Sequence, residues 1–143
     1  MTDYTTFTVE TDEDGIAVMT IDLPGQSMNV WNADLIRDFT AFIDEFASNE
    51  RLKGLVITSG KESGFLAGAD LRMLGGMPAD ATPQQIFDEN FKLQSAIRKM
   101  ETAGRPAKDL TKGNAVAKPV VCALNGLALG GGMGTATIIE RVN

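Results

Sequence analysis

Two short apolar runs, GLVITS at residues 54–59 and PVVCAL at residues 119–124, constrain this chain most, because each leads straight into a segment built of small residues. An apolar run of four to eight residues bounded by Gly or Pro reads as a strand covered on both faces, which is the usual condition of a parallel strand. Strands of that kind alternate with amphipathic helices only in α/β folds, whose ligands collect where the chain leaves the carboxyl ends of the strands. The order of elements therefore predicts both a fold class, α/β, and a place to look for function.

The remaining elements follow from periodicity. Residues 6–11 and 16–22 are β-rich and are separated by Asp12-Glu13-Asp14-Gly15, which predicts an opening hairpin. After the Pro24-Gly25 break, Asn32 precedes a run in which Leu35, Ile36, Phe39, Phe42, Ile43 and Phe46 recur at helical spacing, predicting an amphipathic helix over 33–48. A glycine-rich stretch follows the GLVITS strand and carries a short helical turn at 70–74. Thr82-Pro83 is a helix start, and Ile86, Phe87, Phe91, Gln94, Ile97 and Glu101 track a long helix to about Thr102. Residues 103–118 have no period and read as a loop. At 143 residues the chain has room for one such domain.

Composition removes several chemistries. The chain has no histidine, which excludes an imidazole base, a Ser/His/Asp triad and a His-ligated metal within it. Cys122 is the single cysteine, so no internal disulfide and no cysteine metal cluster can form, and no metal site is expected. The net charge of −6 opposes a general nucleic-acid surface. The acidic N-terminus lacks a signal-peptide pattern and no run of 18 apolar residues occurs, so a cytoplasmic protein with no membrane span is expected.

The glycine-rich stretch 126–134 fits neither Gly-x-x-x-x-Gly-Lys-Ser/Thr nor Gly-x-Gly-x-x-Gly, which excludes a phosphate loop and a dinucleotide fingerprint. What remains is a strand end, a turn at Asn125-Gly126, and a glycine triplet, 130–132, that opens a helix. Such a place exposes backbone N–H donors suited to a developing oxyanion; equally, it is a tight turn with close helix packing. The segment FLAGAD, residues 65–70, is a second small-residue loop after a strand, in which Asp70 reads alternatively as the cap of the turn at 71–74. Together the two loops can each offer one N–H to a single oxygen.

The succession IAVMTIDLP, SMNVW, a helix, GLVITSG, FLAGADLRML, a long helix and KPVVCALNGLALGGGM resembles the enoyl-CoA hydratase/isomerase, or crotonase, family over residues 7–133. Within it, LNGLALGGG and the acidic long helix look most like the N-terminal hydratase part of the multifunctional alpha subunit of fatty-acid oxidation. The resemblance implies stacked ββα units and an acyl-CoA enzyme of β-oxidation that hydrates or isomerises an enoyl thioester. By position it implies that Ala69 and Gly131 supply the two backbone N–H groups holding the thioester carbonyl. It further implies that Met28, Val30, Phe65, Leu66, Gly68, Asp70 and Leu71 face coenzyme A, more through backbone than side chain. No tightly bound cofactor is implied, since coenzyme A arrives as part of the substrate. The implied partners are the acyl-CoA thioester, further copies of the chain and a thiolase subunit.

The chain also departs from that pattern. Hydratases of the family carry a glutamate two residues after the glycine triplet, where this chain has Gly134, and residues 134–143 (GTATIIERVN) no longer follow the family wording. Glu140 is a poor substitute, because six residues of helix rotate a side chain by roughly 240° and move it about 9 Å. The chain stops before the segment that carries the second glutamate, so residues 1–143 are expected to be the N-terminal core of the domain, truncated and with little hydratase activity. The alternative reading is a non-catalytic CoA-thioester binder or an incomplete fragment. GRPAKDLTKGNAVA, residues 104–117, is longer than the usual link in the family. Lys61 and Arg72 read either as partners for a CoA phosphate or as solvated cations. Trp31 and Cys122 read as packing residues, and Met73, Met77 and Met133 as gap-fillers rather than a tunnel lining.

Overall fold

The computed structural model describes residues 3–103, 118–132 and 134–135. Its elements are β1 (Phe7–Thr11), β2 (Ile16–Ile21), α1 (Ala33–Ser48), β3 (Gly54–Ser59), α2 (Leu71–Gly75), α3 (Pro83–Glu101) and β4 (Val120–Cys122). The sheet is mixed, in the order β1-β2-β3-β4. The hairpin β1/β2 is antiparallel, whereas β2/β3 and β3/β4 are parallel. The β2–α1–β3 crossover thus forms the α/β unit that the alternation of apolar runs predicts.

Local chemistry sets the ends of the elements. The Asp12 carboxylate accepts from the N–H groups of Asp14 and Ile16, at 3.0 and 2.8 Å, which shapes the hairpin turn. Asn32 caps α1 by accepting from Leu35 N at 2.8 Å. Thr82 and Gln85 form a reciprocal capping box at the start of α3, satisfying two of the donors a helix start leaves unpaired.

The core lies between α1 and one face of the sheet. Pairing puts Ala17, Leu55 and Val120 in one inward row and Phe7 beside Ile21, and against them pack Leu35, Phe39, Phe42, Ile43 and Phe46 of α1, all buried. Each such large side chain contributes about 1.5–3 kcal/mol. The rim is held by Asp38, whose carboxylate accepts from Thr5 N, Thr5 Oγ1 and Thr6 Oγ1 at 3.0–3.3 Å, so that the start of the chain is tied to α1. Lys118 ties the approach to β4 to the same helix, donating to the carbonyls of Phe46 and Asn49.

The structure departs from the sequence expectation in two places. The strand at 119–124 shortens to Val120–Cys122 and is covered on one face only. Val18, Val56 and Val121 form a row across the other face, with Val18 and Val121 exposed. Of the residues expected to track the long helix, Ile86, Phe87 and Phe91 are also exposed, with the two rings stacked on each other 5.5 Å apart, while Ala96 and Met100 near the C-terminus enter the core. Periodicity reports an apolar stripe; the described residues supply a neighbour for only part of it. The expected loop at 103–118 falls largely outside the described residues. Among the described residues no helix is long and apolar enough to cross a membrane.

Candidate functional site

Beyond β3 and β4 the two small-residue loops run alongside each other in backbone contact. The N–H groups of Phe65 and Leu66 donate to Leu127 O at 2.9 and 3.2 Å, and Leu129 N donates to Leu66 O at 3.1 Å. Leu66 and Ala128 thereby form an isolated parallel bridge that continues the β3/β4 pairing past the sheet. Glycine makes the approach possible. A Cβ on Gly64 would stand 2.7 Å from Leu127 N, and one on Gly132 only 1.9 Å from Leu66 O. A side chain at either position would force the loops apart.

The other edge of the 65–70 segment pairs with the residues before α1. Ala67 N donates to Asn29 O at 2.8 Å, Trp31 N to Gly68 O at 2.7 Å and Asp70 N to Trp31 O at 2.9 Å. Two residues of the 29–31 segment therefore span three of the 67–70 segment, a bulge centred on Gly68 at φ +94°. A side chain could adopt that backbone only with strain. Because Trp31 bonds to the two neighbours of Ala69, the N–H of Ala69 itself turns away from Trp31. Gly131 approaches the same bulge: its nitrogen lies 3.6 Å from the position of a Cβ on Gly68, and the Gly130 Cα lies 3.7 Å from it. Gly131 and Gly132 are helical, so the glycine triplet opens a helix as its spacing predicts.

Asn29 holds this arrangement together. Fully buried, it accepts from Leu23 N at 3.0 Å and donates to Ile21 O and Ser59 Oγ, each at 2.9 Å, and to Phe65 O at 3.3 Å. One amide thus links the ends of β2 and β3 to the first loop. Asn125 links the second, donating to Ser59 O at 2.8 Å. Sequence reasoning passed over Asn29; its one signal is a lone amide between Met28 and Val30, where a loop near a sheet needs its backbone groups satisfied.

The other residues singled out from the sequence fall at different depths. Ala69 is exposed and Gly131 half-buried. Met28 and Val30 are half-buried on either side of Asn29. Phe65, Leu66 and Gly68 are buried, and Leu71 is exposed. Asp70 caps α2, accepting from Arg72 N at 2.9 Å, and pairs with the Arg72 guanidinium at 2.8 Å. The side-chain bond from Arg72, reinforced by its N–H, holds the Asp70 carboxyl below the usual carboxylate range. Lys61 is largely buried and engaged with Asp22 at 2.7 Å and Leu23 O at 2.8 Å, whereas Arg72 is largely exposed, a solvated cation paired with Asp70. Trp31 is buried, edge-on to Phe39 at 5.2 Å, which is the packing role its sequence context suggests. Among the described residues, no group of three or more Cys, Asp or Glu could hold a metal ion.

Chemically, the site offers backbone N–H groups at the junction of two loops whose spacing is set by main chain rather than by side chains. Such donors cost no reorganisation when charge develops on a nearby oxygen.

The family model for enoyl-CoA hydratase/isomerase matches residues 11–140. The chain is 32% identical over 127 residues to the fatty acid oxidation complex subunit alpha of Idiomarina loihiensis, covering 89% of this chain and 16% of that one. It is 30% identical over 136 residues to the subunit of the same name in Shewanella halifaxensis, covering 95% and 17%. Among solved structures, Pseudomonas aeruginosa DspI superposes with a TM-score of 0.74 at 24% identity over 98% of this chain and 46% of that one. The enoyl-CoA hydratase from Bacillus anthracis superposes at 0.73 and 19% identity, over 93% and 45%. The chain therefore spans less than half of these structures and about a sixth of the curated relatives. The match along residues 11–140, on a crotonase-like α/β fold with two glycine-clasped loops beyond parallel strands, makes this chain a member of the enoyl-CoA hydratase/isomerase family.

Proposed function

We propose that the chain binds an acyl-CoA thioester with its carbonyl oxygen between the N–H groups of Ala69 and Gly131, as part of a β-oxidation enzyme that hydrates or isomerises enoyl thioesters. The observation that carries this reading is the Gly68 bulge, which turns Ala69 N–H away from Trp31 while Gly131 packs against the same residue. Water addition or proton removal next to a thioester builds negative charge on that oxygen, where two fixed donors are each worth about 2.7–4 kcal/mol in the transition state. Coenzyme A is then a part of the substrate, lying along Met28, Val30 and the loop from Phe65 to Leu71, with no separate cofactor. A cytoplasmic location, self-association and a thiolase partner belong to the same reading; of these, association with another subunit is supported by the name of the relatives, subunit alpha of a fatty acid oxidation complex.

A second reading, a CoA-thioester binder without turnover, is favoured by Gly134, a glycine where the family resemblance leads one to expect a carboxylate. Calorimetric titration with acetoacetyl-CoA beside a crotonyl-CoA hydration assay separates the two. Binding with turnover supports the enzyme and binding alone supports the second reading. Absence of binding overturns both. Gly131→Pro, which deletes the donor at a helix start where proline is accommodated, is expected to weaken acetoacetyl-CoA binding at least ~tenfold.

A further inference from the structure

The indole N–H of Trp31 is buried and has no hydrogen-bond partner, the one such buried side-chain polar atom among the described residues. A buried donor left unpaired costs about 1–3 kcal/mol, and packing does not account for it. The edge-on contact with Phe39 uses the ring alone, and phenylalanine would make it without the penalty.

The surroundings of the indole indicate what would satisfy it. Gly131 has no side chain, and a Cβ there would lie 3.4 Å from Trp31 Cδ1 and 3.8 Å from Nε1. The nitrogen-bearing edge of the ring therefore lies against Gly131, one of the two proposed oxyanion donors. Trp31 and Ala69, the other, also line a pocket of about 50 Å³, whose wall is completed by the apolar Ile36, Met73, Met77 and Leu93 and the polar Asp70, Glu89 and Asn90. That volume admits one functional group or a water, not a long chain. A carbonyl oxygen has two lone pairs, and in the reading above both are taken by Ala69 and Gly131. The indole therefore needs a different acceptor, and the next oxygen along a β-oxidation acyl chain is the one on C3.

We propose that Trp31 Nε1–H donates to an oxygen on C3 of the bound acyl chain, making the site selective for 3-oxygenated over saturated thioesters. This rests on the thioester reading above. It makes Trp31 a specificity-determining residue rather than a packing residue only.

The test titrates the chain and its Trp31→Phe variant with acetoacetyl-CoA and with butyryl-CoA, which differ at C3. The wild type is expected to prefer acetoacetyl-CoA by about tenfold, the effect of one hydrogen bond to a buried donor. Trp31→Phe is expected to lose that preference, its affinity for acetoacetyl-CoA falling about tenfold further than its affinity for butyryl-CoA. Because Trp31 is the single tryptophan, its indole N–H gives one ¹H–¹⁵N resonance, expected to move downfield with acetoacetyl-CoA and to stay in place with butyryl-CoA. An equal loss of affinity for both ligands in the variant, a preference that survives the substitution, or the same indole shift with both ligands overturns the inference alone. A wild-type chain that binds neither thioester overturns the thioester reading as well.

Discussion

Gly132 sits so close to Leu66 that a single added methyl group would stand 1.9 Å from the Leu66 carbonyl oxygen. That oxygen also accepts from Leu129 N at 3.1 Å, so it cannot retreat without releasing the bridge between the loops. Sheet extension and loop spacing thus meet at one carbonyl, and the distance between the two candidate donors is set there.

Gly132→Ala is accordingly expected to destabilise the fold at the upper end of the roughly 1–3 kcal/mol seen for overpacked sites. It is also expected to abolish acyl-CoA binding. Urea unfolding and calorimetry check both effects; an unfolding midpoint equal to the wild type would mean that the loops stand further apart than described.

Asn29→Ala removes the amide that serves Leu23 N, Ile21 O, Ser59 Oγ and Phe65 O. Leaving a buried donor and its partners unsatisfied is expected to cost about 2–3 kcal/mol. Thioester affinity should fall as well, because the first loop loses its anchor to β2 and β3. Paired denaturation and binding curves would show the two losses together, and a variant with wild-type values in both would refute the anchoring role.

Asp38 gives stability a pH dependence whose sign is fixed. Burial pushes its carboxyl up, but hydrogen bonds from Arg37, Thr6 Oγ1 and Thr5 N outweigh that and hold it below the ordinary value. A carboxyl depressed on folding contributes fully above its unfolded pKa of about 3.9, and the contribution is lost as the pH falls through the lower folded value. Asp38→Asn should therefore be less stable than wild type at neutral pH and lose less on acidification. Parallel slopes for the two proteins in urea titrations between neutral and acid pH would contradict this.

Gly134 has open space around it: none of the described residues comes within 4 Å of the position of its missing Cβ. Gly134→Glu should therefore fold as well as the wild type while placing a carboxylate where the family resemblance leads one to expect it. A positioned acid/base group is worth about 10²–10⁴-fold, so crotonyl-CoA hydration is expected to rise at least ~tenfold over the wild type. Unchanged turnover in a folded variant that still binds acetoacetyl-CoA would show that this position does not act on the substrate.

Much of the architecture was readable because local chemistry and tertiary packing agree. Asn32, Thr82 and Asp70 are caps by residue type, and the α1 stripe from Leu35 to Phe46 is buried as its spacing predicts. The two features that deviate have one cause. Phe87, Phe91 and Val121 have the pattern of covered residues, but a pattern cannot name the neighbour that does the covering. At the site, small residues marked where the backbone comes close, yet the Gly68 bulge and the Asn29 amide depend on which strand ends meet in space. Nor did spacing identify the unpaired Trp31 nitrogen, since an indole used for packing and one held in reserve look alike in a sequence.

The clasp between the loops is peptide against peptide, with glycine wherever a side chain would intrude. Its consequence is a division of labour: the exposed side chains of Leu127 and Leu129 stand apart from the gauge, which main-chain atoms set between the loops. Point substitution of those side chains would then leave the loop spacing intact, while an insertion or deletion of a single residue in either loop would put the candidate donors out of step.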